Sequence, residues 1–274
     1  MELINGKKIS KQILKSLKSW AANCQPPAEL GVILVGHNPA SRLYVRLKQK
    51  AAKQIGIGFK KYIFPSRVAP ELIQKQIRSL NQNKKITAIL IQLPLPKQFN
   101  AEKIISLIAP RKDADGLHPK HLAMLKKGKK PTVLPATTEA ILAAIEHTKV
   151  NIKNKSVAII GKSKIVGLPT YYYLKDKVKK INIYDSHTQK LANKTSQADI
   201  LIVAIGQAKF ITAEYIKSGA IVIDVGINKI KDKTIGDVDF NSIKKKAAWI
   251  TPVPGGIGPL TIAMLLKNVL KLSK

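Results

Sequence analysis

Cysteine and long apolar runs are the first things this sequence lacks. Cys24 is the one cysteine in 274 residues, which excludes an internal disulfide framework and any metal cluster built on several thiolates. The longest apolar runs, ADILIVAIG and GAIVIDVGI, fall far short of the ~20 residues that cross a bilayer. The N-terminal segment MELINGKKISKQIL lacks the apolar core and cleavage site of a signal peptide. We therefore expect a cytoplasmic protein with no membrane partner.

Acidic and aromatic residues are also scarce. The chain has 48 basic residues against 16 acidic ones, a net charge of +32, which would suit nucleic acid or another polyanion. However, only five of the basic residues are arginine, and aromatic residues make up 5%, which leaves little to read phosphates or stack bases. The lysines are dispersed, with small groups at KKGKK (126–130) and KDKVKK (175–180). Nucleic acid is thus not the expected partner, and a basic binding protein is the competing hypothesis.

Metal-ligand spacing is absent as well. The histidines are scattered along the chain, at His37, His118, His121, His147 and His187. Their arrangement does not match the ligand spacing of known metal-binding motifs. We expect no metal site.

Short apolar runs and helical patterns alternate through the whole chain. Six runs rich in isoleucine and valine are expected to be buried strands, at 30–36, 86–93, 156–161, 181–184, 198–206 and 220–227. They are apolar on both faces, as in a parallel sheet covered on each side. Between them lie helical patterns of 10–18 residues. The sequence therefore predicts an α/β protein with doubly wound architecture, and its length suits two domains.

A domain boundary is expected near KKPTVLPATTEAILAAIEHT. There Thr137 can act as the N-cap of a helix that carries Glu139 in its first turn. That helix leads into the strand SVAIIG, so that a second α/β unit can start at this point.

The segment NPASRLYVRLKQKAAKQIG predicts a helix with defined ends. Asn38 is the expected N-cap, Pro39 the first helical residue, and Gly56 the C-terminal stop. Four-residue spacing predicts a buried stripe made of Leu43, Leu47, Ala51 and Ile55. Tyr44 and Lys48 lie four residues apart beside that stripe and can touch. Such pairs are common on solvated helix flanks, so the pattern alone leaves a catalytic role open.

A glycine-rich turn follows the strand SVAII and opens a helix. Gly161, Ser163 and Gly167 allow a tight turn and close approach of a phosphate to a helix N-terminus. Asp185 follows the next strand, 24 residues after Gly161, where an acidic group can bond ribose hydroxyls. The two features together favour nucleotide binding, although a glycine turn after a strand can be only a turn.

Three further segments place polar or rigid residues after predicted strands. Gln92 ends the strand ILIQLPLP, at the edge where parallel sheets bind ligands. Asp113 and Asp115 precede Gly116, and turn chemistry is an alternative role for both carboxylates. The loop ITPVPGGIGPLT (250–261) packs prolines and glycines before an apolar helix, and could line a flat ligand or be a structural bend.

Seven motifs in this order give the chain a family resemblance: SRLYVRLKQKA, IQLPLP, KDADG, GKSKIVGLP, DVGIN, GDVDF and ITPVPGGIGPLT. The chain resembles bifunctional methylenetetrahydrofolate dehydrogenase/methenyltetrahydrofolate cyclohydrolase over nearly its whole length. The resemblance implies oxidation of 5,10-methylenetetrahydrofolate with a nicotinamide cofactor, then hydrolysis to 10-formyltetrahydrofolate, in one-carbon metabolism. It also implies a homodimer. An enzyme with only one of the two activities stays open.

The resemblance implies two domains with a cleft between them. Residues 1–138 plus 258–274 would form the N-terminal α/β catalytic, folate-binding domain, completed by the C-terminal helix. Residues 139–257 would form a Rossmann-like domain for the cofactor.

The same resemblance implies the site residues. Lys48, Tyr44, Gln92 and Asp115 would be catalytic and substrate-binding, with Gln92 and Tyr44 hydrogen-bonded to Lys48 and Asp115 anchoring the pterin ring. Further substrate-binding residues would be Pro254, Gly255, Gly256 and Pro259. The implied cofactor-binding residues are Gly161, Lys162, Ser163, Ile165, Val166, Gly167, Asp185, Ser186, Gly206 and Ile227.

Three departures from the family pattern bear on function. PATTEA replaces Pro-Cys-Thr-Pro-Lys/Arg-Gly, and His121 and Ala123 stand where asparagine and glycine are common. The third departure is at Asp185 and Ser186, where family members often carry His-Arg or His-Ser.

The third departure bears on the choice of cofactor. Asp185 would repel a 2′-phosphate, whereas Lys162 and Ser186 would favour it. We expect NADP as cofactor, with NAD as the alternative. The positive surface would suit polyglutamylated folate.

Overall fold

The computed structural model of the chain describes residues 1–231 and 233–273. These residues form two compact units. The small-sheet unit consists of residues 11–136 and the segment from Ile262 onward, and the large-sheet unit consists of residues 1–10 and 137–261.

The described residues contain eleven strands. Their bounds are β1 (Glu2–Leu3), β2 (Glu29–Val35), β3 (Gly58–Phe64), β4 (Ala88–Ile91), β5 (Ser156–Ile160), β6 (Lys180–Tyr184), β7 (Ile200–Val203), β8 (Ile221–Asp224), β9 (Asn228–Ile230), β10 (Lys233–Ile235) and β11 (Trp249–Ile250).

The described residues also contain ten α-helices. Their bounds are α1 (Gly6–Ala22), α2 (Pro39–Ile55), α3 (Pro70–Gln82), α4 (Ala101–Ile105), α5 (Pro119–Lys126), α6 (Ala136–His147), α7 (Gly167–Leu174), α8 (Leu191–Thr195), α9 (Phe240–Ile243) and α10 (Ile257–Lys271). Three short 3-10 turns lie at Pro110–Lys112, Ile152–Asn154 and Ala213–Tyr215.

The small-sheet unit is built on three parallel strands in the order β3-β2-β4. Strands β2 and β4 are buried on both faces, which is why they are apolar without alternation. Helix α3 places Ile73, Ile77 and Leu80 on one face, and these side chains pack with Ile33 and Ile89 in one apolar core.

The large-sheet unit is built on six parallel strands in the order β1-β11-β8-β7-β5-β6. Its central strands β5, β7 and β8 are buried, and Leu201, Val222 and Ile250 belong to its apolar core. A separate antiparallel hairpin joins β9 to β10. The prediction of a two-domain α/β fold with parallel sheets is confirmed.

The first ten residues lie with the large-sheet unit, because β1 pairs with β11 through Glu2–Trp249 and Leu3–Ile250. The expected domains, 1–138 plus 258–274 and 139–257, differ from the compact units mainly at this N-terminal segment. Which residues form each functional domain stays a prediction.

Helix α2 has the predicted ends but a different buried face. The Asn38 side chain accepts the Ser41 amide at 3.0 Å, and Gly56 ends the helix at φ 83°. The predicted stripe was wrong at Leu43 and Leu47, each of which is 42% exposed. The buried residues are Ser41, Val45, Lys48, Ala51, Ala52 and Ile55. Lys48 therefore points into the unit rather than lying beside its buried face.

Helix α6 begins at Ala136, two residues before the start that an N-cap at Thr137 would give. The expectation that Thr137 is the N-cap was therefore wrong, since Thr137 is already helical. The next residue, Thr138, is fully buried, and its hydroxyl lies 3.1 Å from the Thr170 hydroxyl on α7. Thr138, which belongs to PATTEA, thus packs the start of α6 against Thr170 on α7.

No helix among residues 1–231 and 233–273 combines the length and apolar character needed to cross a membrane.

Candidate active site

Lys48 and Gln92 form the centre of a polar site in the small-sheet unit. Lys48 is only 8% exposed on α2, and its Nζ donates to Gln92 Oε1 at 3.0 Å. Gln92 follows β4 directly, and its Nε2 donates to the Leu93 carbonyl at 2.6 Å. This second bond fixes which end of the amide faces Lys48, because only the oxygen can accept from an ammonium or amine. The expected Lys48–Gln92 contact is present.

Burial sets the ionisation of this site. It lowers the pKa of Lys48, and the nearby Asp115 carboxylate partly opposes that effect. Burial also raises the pKa of Asp115, and the Lys48 charge partly opposes that in turn. The two groups thus interact electrostatically and each favours the charged form of the other.

Tyr44 lies one helical turn before Lys48 and is partly buried. Burial raises the pKa of its phenol. The expected hydrogen bond between Tyr44 and Lys48 is not present among the described residues, and the hydrogen bond of Lys48 goes to Gln92 alone. Because its pKa is raised, the Tyr44 phenol is protonated and its hydroxyl can donate a hydrogen bond.

The main chain around Asp115 is held on both sides. Asp113 bridges to Ile89 on β4, and the Ala114 amide donates to the Ile89 carbonyl at 3.1 Å. The Asp115 carbonyl accepts the Ala136 amide at 3.0 Å. Gly116 has φ 70°, and a methyl group there would overlap the main chain of Leu134. Asp115 is thus presented from the edge of the small sheet.

Asn268 on α10 also fixes this segment, and sequence reasoning missed it. Its Nδ2 donates to the carbonyls of Ala114 at 3.0 Å and Leu134 at 2.9 Å. Asn268 is fully buried, and in the sequence it lies in the run LLKNVL, after Lys267 and before Val269. A lone asparagine within a mostly apolar helix was the available signal.

Asp113 has the structural role that turn chemistry predicted. Its Oδ2 accepts the His118 amide at 2.7 Å and lies 3.6 Å from His121 Nε2. Burial raises the pKa of Asp113 to about 7, and it lowers the pKa of both histidines. His121 Nε2 also lies 3.3 Å from the Pro110 carbonyl. The departure at His121 thus falls in the buried support of the turn.

In the large-sheet unit, the expected cofactor-binding residues gather at one edge of the sheet. Strands β6, β5, β7 and β8 are neighbours, and each is followed at its carboxyl end by at least one of these residues. In chain order they are Gly161 to Gly167 after β5, Asp185 and Ser186 after β6, Gly206 after β7, and Ile227 after β8. This is the edge at which open α/β sheets bind ligands.

The turn after β5 leaves no room for side chains at its two glycines. Gly161 has φ 118°, and a methyl group on it would overlap the Ala204 carbonyl. A methyl group on Gly167 would overlap the Gly161 carbonyl. The Ser163 hydroxyl accepts the Val166 amide at 3.1 Å, while Lys162, Ser163 and Ile165 are exposed. A cradle of this form fits a phosphate-bearing cofactor at the N-terminus of α7.

Lys162 and Asp185 form an ion pair at this edge, with 2.7 Å between Nζ and Oδ2. The other carboxylate oxygen accepts from the His187 amide at 3.1 Å and from the Thr188 hydroxyl at 3.0 Å. The Lys162 hydrogen bond is the main reason that the pKa of Asp185 is lowered. The aspartate is therefore charged, and its negative charge is paired with a lysine.

The proline- and glycine-rich loop packs tightly within the large-sheet unit. The Gly255 carbonyl accepts the Lys7 amide at 3.1 Å, and a methyl group on Gly6 would overlap the Gly256 carbonyl. A methyl group on Gly256 would likewise overlap the Pro252 carbonyl and the Thr251 side chain. Pro254 is exposed and Pro259 partly so. The loop is thus anchored at its glycines and leaves its prolines accessible.

Comparison with known families decides what these sites belong to. Residues 4–115 match the family model of the tetrahydrofolate dehydrogenase/cyclohydrolase catalytic domain, and residues 135–274 match that of its NAD(P)-binding domain. The chain belongs to this family. The predicted resemblance is confirmed over most of its length.

Relatives in the tetrahydrofolate dehydrogenase/cyclohydrolase family span the whole chain. The bifunctional protein FolD of a Nitratiruptor species is 41% identical over 278 residues, covering 100% of this chain and 98% of its own. The crystal structure of FolD from Campylobacter jejuni matches with a TM-score of 0.95 and 37% identity, over 100% of this chain and 98% of that one. The Trypanosoma brucei FolD structure, complexed with NADP and an inhibitor, has a TM-score of 0.94 at 34% identity, over 99% and 97%.

Proposed function

We propose that this protein oxidises 5,10-methylenetetrahydrofolate to 5,10-methenyltetrahydrofolate and then hydrolyses that cation to 10-formyltetrahydrofolate. The observation that carries the proposal is the buried Lys48, hydrogen-bonded to Gln92 at 3.0 Å and electrostatically coupled to Asp115, in a chain of this family. A buried lysine is costly to keep, and a lowered pKa makes it useful for proton transfer.

Lys48 is the proton-transfer residue of the hydrolytic step. Water adds to the methenyl carbon, and its proton passes to the neutral amine of Lys48, leaving the hydroxyl on carbon. The bond between this carbon and N5 then breaks: the hydroxyl loses its proton and becomes the formyl oxygen, N5 takes up a proton, and one proton is released overall. Gln92 supports this role because its oxygen accepts from Nζ and holds the amine in one direction. Burial raises the pKa of Tyr44 and so keeps its phenol protonated, and in this proposal it donates a hydrogen bond to the substrate.

Asp115 is the anchor of the pterin ring. A carboxylate can accept two N–H bonds from the ring and its amino group, which sets the orientation of the reacting carbon. Burial raises the pKa of Asp115, and Lys48 opposes that shift only while its amine is protonated. Pro254, Gly255, Gly256 and Pro259 are proposed as substrate-binding residues on the family motif, and the anchored glycines support a loop of fixed shape.

NADP is the proposed cofactor, and it supplies the hydride acceptor when bound. The glycine cradle at Gly161 and Gly167 would hold its phosphates. Asp185 alone would repel a 2′-phosphate, but its charge is paired with Lys162, and Ser186 adds a hydroxyl beside it. Lys162 remains 48% exposed in its side chain, so that it can turn toward a phosphate. NAD remains the alternative.

Three further properties are proposed with the activity. The protein acts as a homodimer in the cytoplasm, as the family resemblance implies. Its net charge of +32 favours polyglutamylated folates, because each added glutamate brings a negative charge. Equal KM values for mono- and polyglutamate substrates would contradict this last property.

The test is an assay of purified protein with methylenetetrahydrofolate and either NADP or NAD, following reduced cofactor and 10-formyl product together. Lys48→Met should lower hydrolysis at least ~100-fold, the lower range for general acid–base catalysis, while hydride transfer persists. Lys50→Met is the matched control, since Lys50 is exposed on the same helix. We expect NADP to give the lower cofactor KM.

Each other outcome has a defined meaning. Unchanged hydrolysis in Lys48→Met would remove the proposed role of that residue. Reduced cofactor without catalysed formation of the 10-formyl product would identify a dehydrogenase that lacks the cyclohydrolase activity. If wild-type protein forms neither product with either cofactor, the proposal fails, and salt-dependent binding of nucleic acid becomes the property to measure.

A further inference from the structure

Two buried aspartates in the large-sheet unit have no part in the function proposed so far. Asp224 ends β8 in the motif DVGIN, and Asp237 follows β10 in the motif GDVDF. Asp224 is 3% exposed and Asp237 is fully buried. Among the described residues, neither carboxylate forms an ion pair with a lysine or arginine. Buried charges of this kind are costly unless several hydrogen bonds satisfy them.

Asp237 receives its hydrogen bonds from two loops. One oxygen, Oδ2, accepts the main-chain amides of Ile205 at 2.7 Å and Gly206 at 2.9 Å. The other, Oδ1, accepts Asn228 Nδ2 at 2.9 Å. Ile205 and Gly206 follow β7, and Asn228 follows Ile227 after β8. One side chain therefore connects the loop after β7 with the first residue of β9, which comes shortly after β8.

Asp224 in turn holds the segment that carries Asp237. Its Oδ1 accepts the amides of Gly226 at 2.9 Å and Asp237 at 3.1 Å, and its Oδ2 accepts the Val238 amide at 3.0 Å. Its own amide donates to the Thr251 hydroxyl at 2.7 Å. We call this arrangement the bracket: it consists of Asp224, Asp237 and the amide groups that donate hydrogen bonds to their carboxylates.

Two glycines in the same motifs make room for the bracket. A methyl group on Gly226 would overlap the Asp237 carboxyl group, and one on Gly236 would overlap the Asp224 carboxylate. Because each aspartate is fixed by several hydrogen bonds, neither can move aside cheaply. The bracket therefore explains the glycine of DVGIN and the glycine that begins GDVDF, which a simple turn would not require.

We propose that Asp237, held in place by Asp224, is a positioning residue for the nicotinamide cofactor. It fixes the main chain at Gly206 and, through Asn228, at Ile227, the two cofactor-binding positions after β7 and β8. The inference rests on the proposed function, because it takes these positions as cofactor contacts. Asp237 acts through the loops and does not itself touch the cofactor.

The bracket has a consequence that separates the two reactions. Hydrolysis of methenyltetrahydrofolate needs no cofactor, so that loosening the Gly206 loop should affect hydride transfer and leave hydrolysis intact. A residue that merely stabilises the unit would, when replaced, lower both activities along with the folded fraction. The ratio of the two activities therefore reports on positioning.

The experiment compares wild type with Asp237→Asn, and with Asp239→Asn as the matched control. Asp239 lies two residues away and also accepts main-chain amides, those of Asn241 and Ser242 at the start of α9, but none from the β7 loop. NADP binding is measured by calorimetric titration without folate, and hydrolysis is measured with methenyltetrahydrofolate as substrate. Asp237→Asn should raise the cofactor Kd and KM about tenfold or more, as expected when amides lose a charged acceptor.

In the same variant, the hydrolytic kcat should stay within about twofold of wild type, and Asp239→Asn should change none of these values. Amide hydrogen exchange of the wild-type protein gives a second measurement that needs no variant. The Ile205 and Gly206 amides should be strongly protected in the absence of cofactor, since their acceptor is buried.

An unchanged cofactor Kd in folded Asp237→Asn would overturn the inference. So would equal losses of both activities, or rapid exchange of both amides in the wild type. If wild-type protein binds neither NADP nor NAD, the proposed function itself fails, and the titration of the wild type alone shows this.

Discussion

At the scale of single residues, the sequence identifies Lys48 as a candidate catalytic residue but does not predict that its side chain is buried. Its four-residue spacing from Tyr44 predicted a flank position, whereas the structure puts it on the buried face of α2, 8% exposed. Helical periodicity favours apolar residues for the buried face, so Leu43 and Leu47 were assigned there instead. The buried lysine is a departure from that pattern, and such departures are expected at functional sites.

The lowered pKa of Lys48 gives a direct pH prediction. The amine can accept a proton only when neutral, so catalysed hydrolysis should rise with pH through a pKa below the ordinary 10.5. The assay uses methenyltetrahydrofolate without cofactor, and the rate seen with Lys48→Met is subtracted at each pH to remove uncatalysed hydrolysis. A profile that is flat, or one that rises only at or above pH 10.5, would show that a neutral Lys48 is not the base.

At the scale of elements, sequence predicted most strands because burial on both faces leaves a continuous apolar run. Strand β3 was missed since its sequence, GFKKYIF, carries Lys60 and Lys61. Among the residues that the structure describes, it is an edge strand whose one partner is β2, and its exposed side tolerates charge. The caps of α2 were predicted correctly because Asn38, Pro39 and Gly56 act through local main-chain chemistry. Long-range contacts, such as those of Asn268, have no comparable local signal.

Asn268 should matter for stability because it joins α10 to the Asp115 segment. Asn268→Ala leaves the buried carbonyls of Ala114 and Leu134 without their donor, at a cost of about 1–3 kcal/mol. Urea unfolding followed by circular dichroism measures this loss. The control is Asn193→Ala, an exposed asparagine on α8, which should stay within about 0.5 kcal/mol of wild type. Equal effects of the two changes would refute the role of Asn268.

At the scale of the whole molecule, the pairing of β1 with β11 joins residues 1–10 to a unit that otherwise begins at Thr137. Sequence could not predict this, because a strand of two residues has no periodicity to detect. The catalytic and cofactor motifs, by contrast, are recognisable from the order of residues alone, since each motif is a short continuous segment. What the fold adds is the set of contacts that each residue makes, such as the Lys162–Asp185 pair and the Asp224–Asp237 bracket.

Because the net charge is +32, we expect the folded protein to become more stable as salt is added. Like charges repel one another more in the compact state than in the expanded chain, so that screening favours the folded protein. Between ~20 mM and ~300 mM NaCl the screening length falls from about 20 Å to about 6 Å. The thermal midpoint, measured by calorimetry, should therefore rise over this range. A double variant, Lys129→Glu with Lys130→Glu in an exposed loop, should raise the midpoint at low salt and flatten its rise. A midpoint that falls with added salt would instead mean that attractive ion pairs, such as Lys217–Asp199, outweigh the excess of lysine.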